Sequence, residues 1–317
     1  MSEAKRHPGF GLGFSAVLTS VVIWGAQLPV AKSVYAVMDA VSLTALRYAI
    51  AVFLLVLMLL WREGPRAFAL GERPGLMLGA GLVGMCGSPL LAFAGLSFTT
   101  PEHAVIILAL QPSISALAQW GLNGARPSGF TIASIVAAFF GVVLVVTGHG
   151  NTGGGLGGAV LLGDSLVAAG ACCWVAYSLM LSSFPGMSAL RFTTLSCSIG
   201  TAITVAIAVA CALGGAARLP NAQEALSVAP HIAYLALAGV VAAMIMWNFG
   251  SPRVGVLNSI LLINLMPVET YLIRYLQGAT FTVQEWLGAG VVIAALVANN
   301  LYQRSGRAKV AKDAARA

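Results

Sequence analysis

Charge is scarce in this chain. Asp, Glu, Lys and Arg make up 9% of the residues, against about 25% in an ordinary soluble domain. Acid is scarcer than base, with 10 Asp and Glu against 17 Lys and Arg. With 59% hydrophobic residues and a mean hydropathy of +0.90, the chain would aggregate in water, so its solvent is a bilayer. Missing motifs exclude further classes. No G-x-x-x-x-G-K-[ST] loop occurs, which argues against ATP-driven pumping by this chain. The Gly-rich stretch 150–158, GNTGGGLGG, lacks the lysine such a loop needs. No H-E-x-x-H pair and no serine-nucleophile motif is present. The five cysteines, Cys86, Cys172, Cys173, Cys197 and Cys211, have no zinc-site spacing and read as small buried hydrophobes. No catalytic residue, metal or cofactor is expected, and no nucleic-acid partner.

What is present is length without interruption. Lipid offers no hydrogen bonds to stray backbone groups, so spanning segments are helices or closed barrels. A barrel needs alternating strands of about ten residues. This chain has unbroken apolar runs of about twenty, the length that crosses about 30 Å of hydrocarbon as a helix. Ten runs lie near 10–31, 41–61, 75–96, 102–122, 129–148, 161–182, 189–213, 231–250, 254–277 and 283–302. The first, behind Lys5-Arg6-His7, is too long for a signal peptide and is read as a retained span.

The basic residues orient the bundle. With both termini in the cytoplasm, thirteen of the 17 Lys and Arg fall on the inner side, Lys32 and Arg218 on the outer side, and Arg47 and Arg274 within spans. This is the positive-inside pattern, and it accounts for the net charge of +7 without nucleic acid. The basic tail, 303–317, is read as a solvated, membrane-flanking segment.

The two sides of the 150–160 linker echo each other. Trp24 is matched by Trp174, Leu46-Arg47-Tyr48 by Leu190-Arg191-Phe192, and Gln111-Pro112 by Met266-Pro267. Residues 1–149 and 161–302 then form two repeats of five spans each. An odd number of spans inverts the second repeat in the membrane, an architecture that lets a central site open alternately to the two sides. The expected fold is therefore an all-α membrane protein with ten transmembrane helices as two inverted five-helix repeats. A duplicated scaffold would show the same repeat.

Several of these stretches resemble the EamA family of the drug/metabolite transporter superfamily. They are Trp24-Gly25-Ala26-Gln27-Leu28-Pro29-Val30-Ala31-Lys32, Leu46-Arg47-Tyr48, Gly163-Asp164-Ser165-Leu166 with Cys173-Trp174-Val175-Ala176-Tyr177, Trp247-Asn248-Phe249, and Leu265-Met266-Pro267 with Gly278. The resemblance covers nearly the whole chain. It implies a ten-helix carrier in a bacterial inner membrane, commonly an exporter of small metabolites, amino acids or drugs. Where that family often has a Gly-Glu-Arg-like step, this chain has Gly124-Ala125 and Gly278-Ala279, so no role of that glutamate carries over.

Two charges stand inside the stretch LLINLMPVETYLIRYL, residues 261–276. Glu269 is eight residues, about 12 Å, from the outer end of its run, near the bilayer centre. A central charge there costs at least about 2.5–3.5 kcal/mol, so Glu269 faces the bundle interior, is protonated, or is paired. It either borders a central cavity and changes protonation or pairing during the cycle, or forms a static interhelical ion pair. Arg47, Lys32 and His103 are its candidate partners. Arg274, about 140° away around the helix, is an interface anchor or a site residue. Further cavity candidates are Gln27, Asn248, Asn264, Trp24, Trp174 and Tyr177, with Trp247 beside them. Pro112 and Pro267 are expected to kink their helices.

The function expected from these features is secondary transport, with export of small metabolites, amino acids or amphipathic drugs by alternating access around a midmembrane cavity. Partners would be a small molecule, a proton or other coupling ion, and the lipid bilayer, with the protein a monomer or homodimer. A flippase for a lipid-linked substrate and a non-transporting scaffold are the alternatives.

Overall fold

A computed structural model of the chain describes residues 9–124, 126–148 and 158–314. Among the described residues every regular element is helical. Eight helices are long and apolar enough to cross a membrane: α1 (Phe10–Val34), α2 (Ala40–Glu63), α3 (Pro74–Phe98), α4 (Pro101–Asn123), α5 (Gly129–Gly148), α6 (Gly158–Leu181), α7 (Ala189–Leu213) and α8 (Ala222–Val254). The other two apolar runs differ. α9, residues 256–276, is two helices, Val256–Leu262 and Met266–Leu276, separated by the 3₁₀ turn Ile263–Leu265. α10 (Val283–Ala314) carries a shorter apolar stretch, Val283–Asn299. The sequence expectation of ten spans thus meets eight helices long and apolar enough to cross, with α9 broken and α10 apolar over a shorter stretch. The linker 150–157 and the leading basic residues lie outside the described residues, as do the side chains of the tail from residue 303.

Several helices begin where short polar side chains satisfy free backbone N–H groups. Asp39 caps α2 through Val41 and Ser42 at 3.0 and 2.9 Å. Thr100 caps α4 through His103, and Ser188 caps α7 through Arg191. Asn221 and Glu224 form a reciprocal capping box on α8. Thr282 and Glu285 exchange the same pair of bonds at the start of α10.

Asp39 also accepts from the backbone N–H of Arg218 at 2.9 Å, tying the α7–α8 loop to α2. Burial alone raises its carboxyl pKa, but the hydrogen bonds from Ser42, Arg218 and Val41 outweigh that and hold it below the ordinary 3.8. This stabilisation is present above the unfolded carboxyl's pKa and is lost as pH falls through the lower folded value. Asp39→Ala is expected to cost about 1 kcal/mol at pH 7. Paired thermal melts in detergent should show that difference shrinking as the pH falls below the folded pKa.

Polarity is inverted relative to a water-soluble protein. Phe53, Trp61, Phe139, Phe140 and Leu213 are exposed, while Arg47, Gln27, Glu102, His103 and Asp164 are buried. Hydrocarbon outside and polar groups inside is the arrangement a bilayer selects.

Glycine sets the closest helix pairs. Gly95 of α3 faces Gly163 of α6 so tightly that a β-carbon on Gly95 would lie 2.5 Å from the Gly163 carbonyl oxygen. Gly250 of α8 meets the Gly13 carbonyl of α1 at the same distance, and Gly141 of α5 and Gly288 of α10 meet reciprocally at 2.7 Å. Small residues allow this backbone approach in lipid. The α3–α6 pairing thus recurs as α1–α8, with α5 along α10 and α2 along α7. Of the glycines entering α3, Gly81 packs on Ile199 and Gly84 on the Tyr177 ring, Gly71 makes a turn with φ +80°, and Gly75 is open. α3 and α8 share a further feature, a π-helical stretch at Ala80–Gly87 and at Tyr234–Ala242.

Cys86 and Cys197 are buried, as expected. Cys172 is exposed and Cys173 and Cys211 are half-buried. The correction is physical: a thiol meets lipid as readily as it meets a protein core.

Candidate functional site

A cavity opens between the helices. Its walls come from α1, α2, α3 and α4 on one side of the linker and from α6, α8 and α9 on the other.

Aromatic rings form one wall. Trp24 and Trp174 meet edge to face, with centroids 5.1 Å apart, and Trp247 sits behind them at 5.3 and 5.5 Å. The three indoles come from α1, α6 and α8. Trp24 Nε1 donates to the Gly239 carbonyl at 3.0 Å. Gln27 Nε2 donates to the same oxygen at 3.5 Å, which fixes the amide orientation. The Gln27 Oε1 then accepts from Arg47 Nη1 at 2.7 Å. Gly239 lies in the π-helical stretch of α8, and a β-carbon there would fall 2.9 Å from the Gln27 amide carbon. A glycine at this point therefore lets α8 approach α1 closely enough to orient Gln27.

Arg47 is the charge of the site. It is 2% exposed. Its guanidinium lies 3.7 Å from the Phe93 ring centroid and 5.2 Å from that of Tyr48, both within cation–π range. Its Nε has no hydrogen-bond partner, and among the described residues no carboxylate pairs with it. Gln111, 4% exposed, also lines the cavity, and its Oε1 has no partner either. Ser88, Phe93 and Gly239 complete this polar and aromatic wall.

Among the residues predicted from sequence, Trp24, Gln27, Arg47 and Trp174 are brought together on the cavity wall. The others lie elsewhere. Tyr177 and Asn248 are buried behind it, exchanging a hydrogen bond at 2.9 Å while Asn248 also donates to Thr193 at 2.8 Å. Asn264 lies in the 3₁₀ turn of α9 with its Oδ1 unpartnered, between the wall residues Ile263 and Met266. Glu269 packs against Gly25 of α1, with Oε2 buried and without a hydrogen bond. The neighbouring Thr270 fastens that contact by donating to the Gly25 carbonyl at 2.7 Å.

The proposed partners of Glu269 are engaged elsewhere. Arg47 holds Gln27. Lys32 donates to the carbonyls of Leu96 and Thr99, both at 2.7 Å. His103 approaches Asp164 at 3.5 Å, and Asp164 also accepts from Thr99 at 2.6 Å. Arg274 pairs with the buried Glu102 at 2.7 Å across α9 and α4. Pro112 follows the break between Pro101–Leu108 and Gln111–Asn123, and Pro267 follows the break in α9. Each proline lies in the first turn of its half-helix, where its missing N–H costs nothing.

Asp164, Glu102, Gln111 and Phe93 had no assigned role from sequence. Asp164 and Glu102 had a usable signal, an acid within one turn of the start of an apolar run. Phe93 had none, because a phenylalanine in an apolar span looks the same whether it faces lipid or a guanidinium.

A family model described as "EamA-like transporter family" matches residues 11–147 and 161–301. The chain belongs to the EamA-like transporter family. It is 30% identical over 301 residues to the uncharacterized transporter YrdR of Bacillus subtilis (strain 168), covering 92% of each chain. It is 26% identical over 284 residues to the uncharacterized transporter YyaM of the same organism, covering 89% of each. A protein crystal structure 20% identical to it superposes with a TM-score of 0.68, over 93% of this chain and 98% of the other, and so shares the fold. This EamA-like protein is a multi-pass membrane protein, and its family indicates a transporter rather than an enzyme.

Proposed function

We propose that the chain is a ten-span secondary transporter, with α9 and α10 as the last two spans and residues 1–149 and 161–302 as inverted repeats. Both termini face the cytoplasm of a bacterial cell whose inner membrane holds the bundle. It exports small metabolites, amino acids or amphipathic drugs by alternating access. The observation that carries this reading is the cavity itself: both halves wall it, and buried polar groups line it. The recurrence of the α3–α6 pairing as α1–α8, with a π-helical stretch in α3 and again in α8, supports two equivalent halves that exchange conformations.

Leu108 lies on the cavity wall at the end of the first half of α4. Leu108→Trp would fill the cavity without burying a new charge. Cells overproducing the wild type should tolerate at least one compound from a panel of amino acids, toxic analogues and amphipathic drugs, and accumulate less of it. The Leu108→Trp cells, at equal protein level, should not. Equal tolerance of wild type, variant and empty-vector cells removes the reading.

Glu269 contributes through its contact with α1. A carboxyl packed on Gly25 without a hydrogen-bond partner makes that helix contact depend on whether the group carries charge. In the proposed cycle it takes up and releases the coupling proton. Glu269→Gln should fold normally and transport with a flattened pH dependence. An unchanged rate and pH profile would remove Glu269 from the mechanism and leave plain facilitated export.

A further inference from the structure

The cavity holds a permanent positive charge for which no described residue supplies a counter-ion. An arginine keeps its proton in any protein environment, so burial cannot neutralise it. The groups facing Arg47 are neutral: the Gln27 carbonyl oxygen and the rings of Phe93 and Tyr48. Carboxylates buried elsewhere in the bundle are already engaged. Glu102 holds Arg274, Asp164 holds Thr99 and His103, and Glu285 caps α10 through Thr282. Glu269 packs on Gly25 and makes no ion pair with Arg47. Gln27 cannot compensate further, since its amide nitrogen is directed to Gly239.

Burying a charge in the absence of a partner is unfavourable, and a guanidinium with a free N–H is suited to a planar anion that accepts two bonds side by side. The second unpartnered polar atom on the same wall has the opposite character: Gln111 Oε1 accepts. The edge-to-face indoles of Trp24 and Trp174 offer a flat apolar surface beside both.

We propose that this cavity selects a small organic carboxylate with a flat apolar body, its carboxylate paired with Arg47 and the body against Trp24 and Trp174. A hydrogen-bond donor on the ligand meets Gln111. The inference rests on the transporter reading and adds to it a substrate class, organic monoanions over cations.

The test uses purified full-length protein in detergent and three probes with one body: indole-3-acetate, indole-3-acetamide and tryptamine. Titration calorimetry should give at least about tenfold tighter binding of the acetate than of the acetamide, with the cation weakest. Arg47→Gln should remove the preference for the acetate over the acetamide, weakening the acetate far more than the acetamide. Arg47→Lys, which keeps the charge and loses the planar fork, should retain part of the preference. The probe comparison on the wild type needs no variant, so poor folding of a variant leaves the proposal testable. Acetamide or tryptamine binding as tightly as the acetate overturns it, as does binding of none of the three, or an unchanged preference in folded Arg47→Gln. The transport reading fails on different evidence. If tryptamine binds as tightly as the acetate and Leu108→Trp abolishes that binding, the anion assignment falls while the carrier reading stands.

Discussion

Gly163→Leu is expected to leave almost no folded protein in the membrane. Gly163 of α6 and Gly95 of α3 face each other backbone to backbone, and a β-carbon on Gly163 would lie 2.7 Å from the Gly95 carbonyl oxygen and 2.9 Å from Phe98 Cβ. The obstacle is main chain, which cannot rotate away, so the helices themselves must separate. Overpacking of this kind typically costs about 1–3 kcal/mol. The single methyl of Gly163→Ala should fall at the upper end of that range. Leucine, with three further carbons against the same wall, should exceed it and remove the α3–α6 interface. Fluorescence-detected size exclusion in detergent, followed by thermal melting of whatever accumulates, reads both effects. Gly121→Leu is the control, because nothing lies within 4 Å of a β-carbon at that position. Normal accumulation of Gly163→Leu would show that α3 and α6 do not approach as described.

The second large effect is expected at Arg274. Glu102 is buried, 3% exposed at its side chain, and its carboxylate receives Arg274 Nε at 2.7 Å. Removing one partner from a buried pair typically costs about 3–5 kcal/mol, because the remaining charge is uncompensated. Arg274 is 32% exposed at its side chain, and solvent screening lowers the expected loss to roughly 2–3 kcal/mol for Arg274→Ala. The double variant Glu102→Gln with Arg274→Met removes both charges and should recover most of that loss. A melt series of the four proteins in detergent closes the cycle. Equal losses in the single and double variants would mean the pair contributes packing, not charge. Since the pair joins α4 to α9, its loss should also loosen one end of the cavity wall.

The membrane fold was legible because lipid imposes few solutions. Long apolar runs, asymmetric basic loops and paired tryptophans carry that information in one dimension. What sequence could not resolve was which way each polar residue faces. Arg47 and Glu269 both interrupt apolar runs, and the eye goes first to the acid. Only the helix packing shows that Arg47 lines the cavity while Glu269 packs on Gly25. The break in α9 was half legible: Pro267 announced it, but the 3₁₀ turn at Ile263–Leu265 ends two residues before the proline and has no residue of its own to betray it. His103 and Lys32, candidate partners of Glu269 by sequence, pair with other groups. They do bind across helices, yet to Asp164 and to backbone carbonyls, partners separated from them by more than sixty positions in each case. Cross-helix pairing of that range leaves no trace in a single sequence.

The π-helical stretches in α3 and α8 constrain the chain in a way that ordinary helices do not. One additional residue in a turn offsets everything beyond it by about 100° around the axis. That offset lets α3 present its earlier part to α7 and its later part to α6, and lets α8 address α2 and then α1. Deleting a single residue from either stretch would restore a regular helix and aim half of it at the wrong neighbour. The two stretches, eight and nine residues long, are therefore fixed in length as well as at their tightly packed glycines.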